Sequence, residues 1–134
     1  MRQTLYPAVR YADADAALAF LIAALDARER EVYRDGSGAI HHGEIEIEGS
    51  VIFIGEYREA PPAASTPSGP PSAGQAPMSL YLVVADPDAH HARAAAAGAT
   101  VTRELVDTDY GSREYSIVDP EGNGWSFGTY DPSS

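Results

Sequence analysis

The sequence predicts an α+β fold made of two tandem βαβββ modules. Three observations support the prediction: a self-similarity at one offset, the same order of strand and helix patterns in each half, and a connector rich in Pro, Ala and Ser. The chain has 134 residues, about the size of one domain. We therefore expect a single domain (1–134) with modules at 1–58 and 78–134 and a flexible linker at 59–77.

The self-similarity has an offset of 73 residues, as between Asp13 and Asp86 (86 − 13 = 73). Three separate segments share this offset: Ala12-Asp13 with Ala85-Asp86, Arg30-Glu31 with Arg103-Glu104, and the ten residues from Glu48 with those from Glu121. Chance matching of alanine-rich helices and Gly-containing turns is the alternative. One ungapped offset across three segments favours a duplicated plan.

In the first half, Leu5 to Tyr11 is predicted as a strand. Asp13 or Asp15 can cap the helix that follows, which ends near Leu25 and has one apolar stripe. Three strands complete the module: Glu29 to Arg34, Ala39 to Ile47, and Ser50 to Tyr57. The predicted order is βαβββ.

The second half repeats this order. Met78 to Val84 is predicted as a strand, and Asp86-Pro87 begins a helix because proline is tolerated in the first turn. Gly98 suits the left-handed end of that helix. Three strands follow, with a turn at 119–123 before the last: Val101 to Val106, Arg113 to Val118, and Gly124 to Tyr130.

Composition excludes several classes of function. The chain has no cysteine, which rules out disulfides, thiolate nucleophiles and cysteine-ligated zinc or iron-sulfur clusters. Its net charge of -11 disfavours binding to nucleic acid or anionic membranes, which depends on clustered Lys and Arg. The start of the chain lacks a signal-peptide pattern, and the apolar stretch at 14–25 is too short to span a bilayer. We expect a cytoplasmic protein.

Two βαβββ units, a connector and a DPEGN turn (Asp119 to Asn123) before the closing strand resemble the vicinal oxygen chelate superfamily. This superfamily includes glyoxalases, bleomycin-resistance proteins and extradiol dioxygenases. The resemblance covers nearly the whole chain, and the closing segment 125–130 is similar to glyoxalase-like members. It implies that each module curls its mixed sheet around a cleft, with helices outside. Because two open, curved sheets leave strand edges and an apolar cleft mouth that self-association can cover, we expect a homodimer, in which modules pair within a chain or between chains.

The resemblance also implies where metal ligands would lie. Enzymes of this family hold a divalent metal through His or Glu on the first and last strands of each module. Those positions fall on Tyr6, Phe53, Ser79 and Ser126, again 73 residues apart in pairs (79 − 6 and 126 − 53). None offers a carboxylate or an imidazole. We therefore expect no cofactor and no metal bound by the family route, while a metal held elsewhere stays open.

Strand alternation places a set of aromatic and hydroxyl side chains on the concave faces. The predicted ligand-binding residues are Tyr6, Arg10, Phe53 and Tyr57 in module one, and Ser79, Tyr81, Ser126 and Tyr130 in module two. Such a mixture suits an apolar or planar small molecule. Packing of the tyrosines as core is the alternative. Trp125 and Phe127 are predicted to pack against the helix.

An acidic triplet on one strand supplies the candidate catalytic residues. His42, Glu44 and Glu46 share a face, which turns toward the cleft if Ile45 and Ile47 turn toward the helix. His42 beside Glu44 is then a candidate general base. An exposed charged strand face would give the same pattern.

The two His-His pairs receive different predictions. His41 and His42 point to opposite faces of a strand, so they cannot chelate one ion together. His90 and His91 are predicted to be a solvated pair on the helix surface.

Three functions are compatible with these observations. The favoured one is a metal-free protein that binds or sequesters an apolar or aromatic compound, with the net charge favouring a cationic one. The second is a glyoxalase-like lyase or isomerase, or a dioxygenase-related enzyme, that uses His42 and Glu44 or a relocated divalent metal. The third is a structural or regulatory partner protein.

Overall fold

The strands and helices follow the predicted βαβββ order twice. The computed structural model describes residues 3–57 and 79–132, so the predicted linker at 59–77 lies outside the described residues. Module one contains β1 (Ala8–Tyr11), α1 (Ala14–Leu25), β2 (Arg28–Arg34), β3 (Ile40–Ile47) and β4 (Ser50–Glu56). Module two contains β5 (Ser79–Val83), α2 (Pro87–Ala96), β6 (Thr100–Asp107), β7 (Arg113–Val118) and β8 (Gly124–Gly128).

Each module forms a four-stranded mixed sheet, with strand orders β1-β4-β3-β2 and β5-β8-β7-β6. The first and last strands of each module pair in parallel, and the other neighbours are antiparallel. Ala8 lies opposite Phe53 in module one, and Tyr81 lies opposite Ser126 in module two. Both pairs are related by the offset of 73 (81 − 8 and 126 − 53), so the repeat in the sequence is a repeat in the structure.

The third strands depart from that offset by one residue. Glu44 lies opposite Phe53, whereas Ser116 lies opposite Ser126, so their separation is 72 (116 − 44). The hairpin turns explain the shift. Module one uses the two-residue turn Glu48-Gly49, in which both φ angles are positive (50° and 82°), whereas module two inserts the longer DPEGN turn. By the same register, Glu114 occupies the place of His42 (114 − 42 = 72).

Both helices begin at the predicted caps. The carboxylates of Asp13 and Asp86 accept hydrogen bonds from the backbone N–H groups of Ala16 and Ala89, at 3.0 and 3.1 Å. Gly98, just beyond α2, has the predicted left-handed conformation, with φ at 89°. The capping residues in the sequence therefore predicted where both helices begin and where α2 ends.

The core lies between each sheet and its helix, and α1 also packs against α2. Alternate residues of the central strands are buried, as Ile45 (0% exposed) and Ile47 (1%) show in β3. Trp125 and Phe127 are both buried, which leaves the intervening Ser126 on the opposite face. Phe127 packs on His90 of α2, as predicted.

The prediction that His90 and His91 form a solvated pair is wrong. Both are half-buried, because α2 lies with these positions against its sheet. The His90 ring packs on Phe127, with centroids 4.5 Å apart, and its Nδ1 contacts the hydroxyl of Tyr115. His91 bonds through Nε2 to Glu104 at 2.9 Å. The alanine-rich helix has too little apolar contrast in its sequence to reveal which face is buried.

The DPEGN turn joins the two modules. Asp119 is only 4% exposed, and its Oδ2 accepts hydrogen bonds from the Tyr11 hydroxyl at 2.7 Å and from the Trp125 indole at 3.2 Å. Glu121 accepts from the backbone N–H groups of Ala12 and Asp13 at 2.6 and 2.8 Å. Burial, and then the bond to Asp119, raise the pKa of Tyr11 far above its usual value. The DPEGN turn of module two therefore binds the end of β1 and the start of α1 in module one.

Within residues 3–57 and 79–132, no helix is both long and apolar enough to cross a membrane.

Candidate ligand-binding cleft

The concave face of module two forms a cleft with a volume of about 570 Å³. Four predicted ligand-binding residues line it: Ser79, Tyr81, Ser126 and Tyr130. Sequence reasoning missed four more polar lining residues, namely Arg103, Tyr110, Glu114 and Ser116. Strand alternation on β7 could have identified Glu114 and Ser116, since both have the same parity and face.

Aromatic and hydroxyl groups form the walls of the cleft. The Ser116 and Ser126 hydroxyl oxygens are 2.8 Å apart, within hydrogen-bonding distance. The Tyr81 hydroxyl donates to the carbonyl oxygen of Tyr130 at 2.8 Å. The Tyr130 ring meets Tyr110 edge to face, with centroids 5.9 Å apart. These contacts order three tyrosines that are otherwise largely exposed.

The most buried polar group of the cleft is the Glu114 carboxylate, whose side chain is 7% exposed. It accepts a hydrogen bond from Arg103 Nη2 at 2.8 Å, and both of its oxygens lie 3.0 Å from the Tyr110 hydroxyl. Burial alone would raise the pKa of Glu114, but hydrogen bonds from Arg103, Tyr110 and Ser112 outweigh it and lower the pKa below its usual value. Glu114 is thus an ionised, covered partner of Arg103 at neutral pH.

A glycine makes this arrangement possible. A Cβ on Gly128 would lie 2.6 Å from Cγ of Glu114 and 2.7 Å from the hydroxyl of Tyr81. Both groups occupy the space that any other residue at 128 would fill. The absence of a side chain on the last strand therefore brings the carboxylate and the tyrosine together.

The concave face of module one is covered instead by a row of aromatic rings. Tyr6 stacks on Phe53 with centroids 5.3 Å apart and planes within 3° of parallel. Phe53 contacts His42 at 4.9 Å, and His42 contacts Tyr33 at 6.1 Å. The predicted residues Tyr6 and Phe53 are thus brought together, but on a different face from the module-two cleft.

The acidic triplet of β3 faces the concave side, because Ile45 and Ile47 are buried against the helix as the prediction required. Nε2 of His42 lies 3.1 Å from Oε2 of Glu44, and both side chains are about one-third exposed (37% and 32%). The geometry allows the carboxylate to orient the imidazole.

The two remaining predicted ligand residues lie elsewhere. The guanidinium of Arg10 lies over the backbone of Gly55, where a Cβ would collide with Nη1. It donates a hydrogen bond to the carbonyl oxygen of His41 at 3.5 Å. Tyr57 lies near the module junction, where its backbone N–H donates to the carbonyl oxygen of Tyr11 at 2.9 Å. Burial, and then the charges of Glu121 and Asp119, raise the pKa of Tyr57. Neither lines the module-two cleft.

A smaller groove of about 270 Å³ separates the modules. Its walls are mainly apolar, with Leu5 and Ile52 on one side and Leu82 and Trp125 on the other. Tyr81 lines both this groove and the larger cleft.

The residues at the expected metal positions do not fit a divalent ion. Phe53 and Ser126 lie at equivalent places on β4 and β8. The Phe53 ring has no atom that could bind a metal, and the Ser126 hydroxyl is already within hydrogen-bonding distance of Ser116. Tyr6, just before β1, stacks on Phe53 rather than presenting a ligand. In the described part of the chain, no group of three or more His, Cys, Asp or Glu is arranged to hold a metal elsewhere.

Comparison with known proteins assigns the family. Residues 4–127 match the model of the Glyoxalase/Bleomycin resistance protein/Dioxygenase superfamily. The chain belongs to this family. An uncharacterized protein of Mycobacterium bovis is 34% identical over 117 residues, which cover 87% of this chain and 76% of that protein. An uncharacterized protein of Mycobacterium tuberculosis matches with the same identity, covering 68% of its length.

Two solved structures share the fold of this chain. TioX from Micromonospora sp. ML1 has a TM-score of 0.73 and 25% identity, with 94% of each chain covered. The fosfomycin resistance protein FosX from Mesorhizobium loti has a TM-score of 0.67 and 14% identity, covering 99% of this chain and 96% of that one. At that identity, the second likeness concerns the fold alone.

Proposed function

We propose that this protein is a metal-free small-molecule-binding member of the family, which binds or sequesters an apolar or aromatic compound in the module-two cleft. The observation that carries the proposal is the cleft itself. Tyrosine rings and serine hydroxyls line about 570 Å³ there, on the face where the enzymes of this family present metal ligands. Ligand sites of this size combine apolar walls with a few placed polar groups.

Two further properties belong to the same proposal. A homodimer would cover the open concave faces and the strand edges, as self-association commonly does. A cytoplasmic location remains the expectation. Light scattering at micromolar protein tests the dimer, and a monomer without a symmetric contact above ~1,000 Å² would contradict it.

The binding proposal is tested with the purified full chain. A thermal-shift screen of planar aromatic compounds should raise the melting temperature by mass action, and elemental analysis should find no stoichiometric divalent metal. A hit is then titrated against two variants. Ser126→Phe fills the cleft and should abolish binding, while Ser126→Ala keeps the volume and should retain it within about fivefold, since it removes one hydroxyl. Unchanged binding to Ser126→Phe would place the ligand elsewhere.

An enzyme is the second candidate, and the His42 and Glu44 pair favours it. A carboxylate 3.1 Å from an imidazole can orient that ring as a general base. Because this pair lies on module one and not in the module-two cleft, the test incubates the screening compounds with the full chain and analyses them by mass spectrometry, whether or not Ser126→Phe affects their binding. Product formation that His42→Gln abolishes, with ligand binding retained, would support catalysis over sequestration.

A further inference from the structure

Arg103 differs from the other paired arginines in where its partner lies. Carboxylates that are at least one-third exposed pair with Arg30, Arg34, Arg93 and Arg113. Arg103 pairs with Glu114, whose side chain is 7% exposed, while its own side chain is 48% exposed. Both residues line the cleft, and the guanidinium is the more exposed member of the pair.

The backbone holds Arg103 at this place. Arg103 lies opposite Ser116 on β7, and register shifts flank it on both sides, toward Val101 and toward Val106. Such bulges re-aim side chains at functional sites. The hydrogen bond to Glu114 uses one of the five N–H donors of the guanidinium, and the cleft is on the exposed side of the group.

The groups around Arg103 define a ligand class. A guanidinium fork matches the planar geometry of a carboxylate and can donate two parallel hydrogen bonds. The Ser116 and Ser126 hydroxyls lie on the same face, and Tyr81, Tyr110 and Tyr130 supply ring surfaces beside them. One cation with neutral hydroxyls suits a single negative charge better than a phosphate group.

We propose that the module-two cleft binds a planar aromatic carboxylate, whose oxygens are held by Arg103 and whose ring lies among the three tyrosines. Glu114 is the positioning residue for Arg103. This inference rests on the proposed function, namely that this cleft is the ligand site. It replaces the cationic ligand that the net charge of -11 favours, because the group nearest the ligand outweighs distant, screened charges.

Three probes of one shape test the charge preference with the full chain: 2-naphthoate, 2-naphthamide and 2-naphthylmethylammonium. Calorimetric titration should give at least about tenfold tighter binding of the carboxylate, which is the expected gain for a charge-assisted pair. Equal or tighter binding of the amide or the ammonium would overturn the inference, and it would leave the proposed function intact. Absence of binding by all three probes, with no screening hit sensitive to Ser126→Phe, would overturn both.

Variants test the residues. Arg103→Gln should weaken binding of 2-naphthoate about 10- to 100-fold and leave that of the amide within about threefold. Arg30→Gln makes the same charge change at the Glu46 pair and is the matched control, with both affinities expected within about twofold. Equal losses for Arg103→Gln and Arg30→Gln would contradict a role for Arg103 as the anchor.

Glu114→Gln separates positioning from charge. It removes a negative charge next to the ligand, so electrostatics alone would tighten binding of 2-naphthoate. If Glu114 positions the guanidinium, binding should instead weaken about three- to tenfold, with the amide unaffected. Tighter binding would overturn the positioning role. The comparison of probes on the parent protein decides the ligand class even if a variant fails to fold.

Discussion

The two modules share the same strand order, but the side chains on their concave faces differ in chemistry. Phe53 of module one corresponds to Ser126 of module two, and Glu44 corresponds to Ser116. Opposite these third-strand residues, module one places Glu31 and module two places Arg103. Module one is therefore covered by stacked rings and carboxylates, while module two keeps an open cleft around a guanidinium. A few side-chain differences therefore separate the ring-covered face of module one from the open cleft of module two.

The hairpin turns differ as well. Module one closes β3 and β4 with two residues, whereas module two uses the DPEGN turn, which brings Asp119 and Glu121 to the first strand of module one. The longer turn thus closes the hairpin of β7 and β8 and also forms the joint between the two modules. It also shifts the third strand by one residue relative to the repeat.

The largest expected effect is at this joint. Asp119→Ala leaves the Tyr11 hydroxyl and the Trp125 indole without their buried acceptor, which should lower the free energy of unfolding by about 3 kcal/mol or more. Urea unfolding measures it. Asp109→Ala, at an exposed position, is the control and should stay within about 0.5 kcal/mol of the parent. Similar losses for the two variants would show that the joint contributes little.

The two equivalent glycines should respond differently to alanine. Gly128→Ala places a Cβ against Glu114 and Tyr81, which are themselves held in place, and should cost about 2 kcal/mol and weaken ligand binding. Gly55→Ala meets chiefly the far end of Arg10, which can move, so about 1 kcal/mol is expected. Thermal unfolding of both variants checks the order. A larger loss for Gly55→Ala would contradict the assignment of the tighter packing to module two.

The helices should differ in their response to pH. His90 stands where module one has the buried Ala17 (90 − 17 = 73), and burial, followed by the charge of Arg93, lowers the pKa of His90. Because the folded-state pKa lies below the unfolded value of about 6.5, its contribution to stability is complete above that pH and is lost as the pH falls.

His90→Leu tests this pH dependence. The parent should lose up to about 1.4 kcal/mol per pH unit more than the variant between about pH 6.5 and the lowered pKa. Urea unfolding at a series of pH values measures the difference. Identical slopes in the two proteins would assign the acid sensitivity to other groups.

The smallest expected effect concerns a repeated surface pair. Asp15 and Asp88 are equivalent (88 − 15 = 73), yet Arg34 of β2 binds the first and Arg113 of β7 binds the second, each through two nitrogens. Both pairs are exposed, so Arg34→Ala and Arg113→Ala should each change the melting temperature by less than about 2 °C. A large shift in only one variant would show a coupling beyond the ion pair.

The sequence by itself determined the fold and half of the cleft. Period-2 alternation, the Asp caps and the repeat are local signals, which is why the βαβββ order, Asp13 and Asp86, and the faces of Ile45 and Trp125 were predicted correctly. Ser79, Tyr81 and Ser126 followed from the same alternation, and Tyr130, which was predicted with them, lines the cleft from just beyond β8.

Only the tertiary structure decided the rest, because it depends on register and on contacts between distant segments. The one-residue shift in module two places Glu114 beside Arg103, eleven residues away in the chain, and no repeat at 73 predicts that pairing. His90 was misjudged because an alanine-rich helix does not mark its buried face. Arg10 was predicted to line a cleft, but its guanidinium lies over Gly55. Tyr57 follows β4 and bonds through its backbone to Tyr11 at the joint between the modules. Alternation fixes the face of a residue, and packing across the sheet fixes its neighbours.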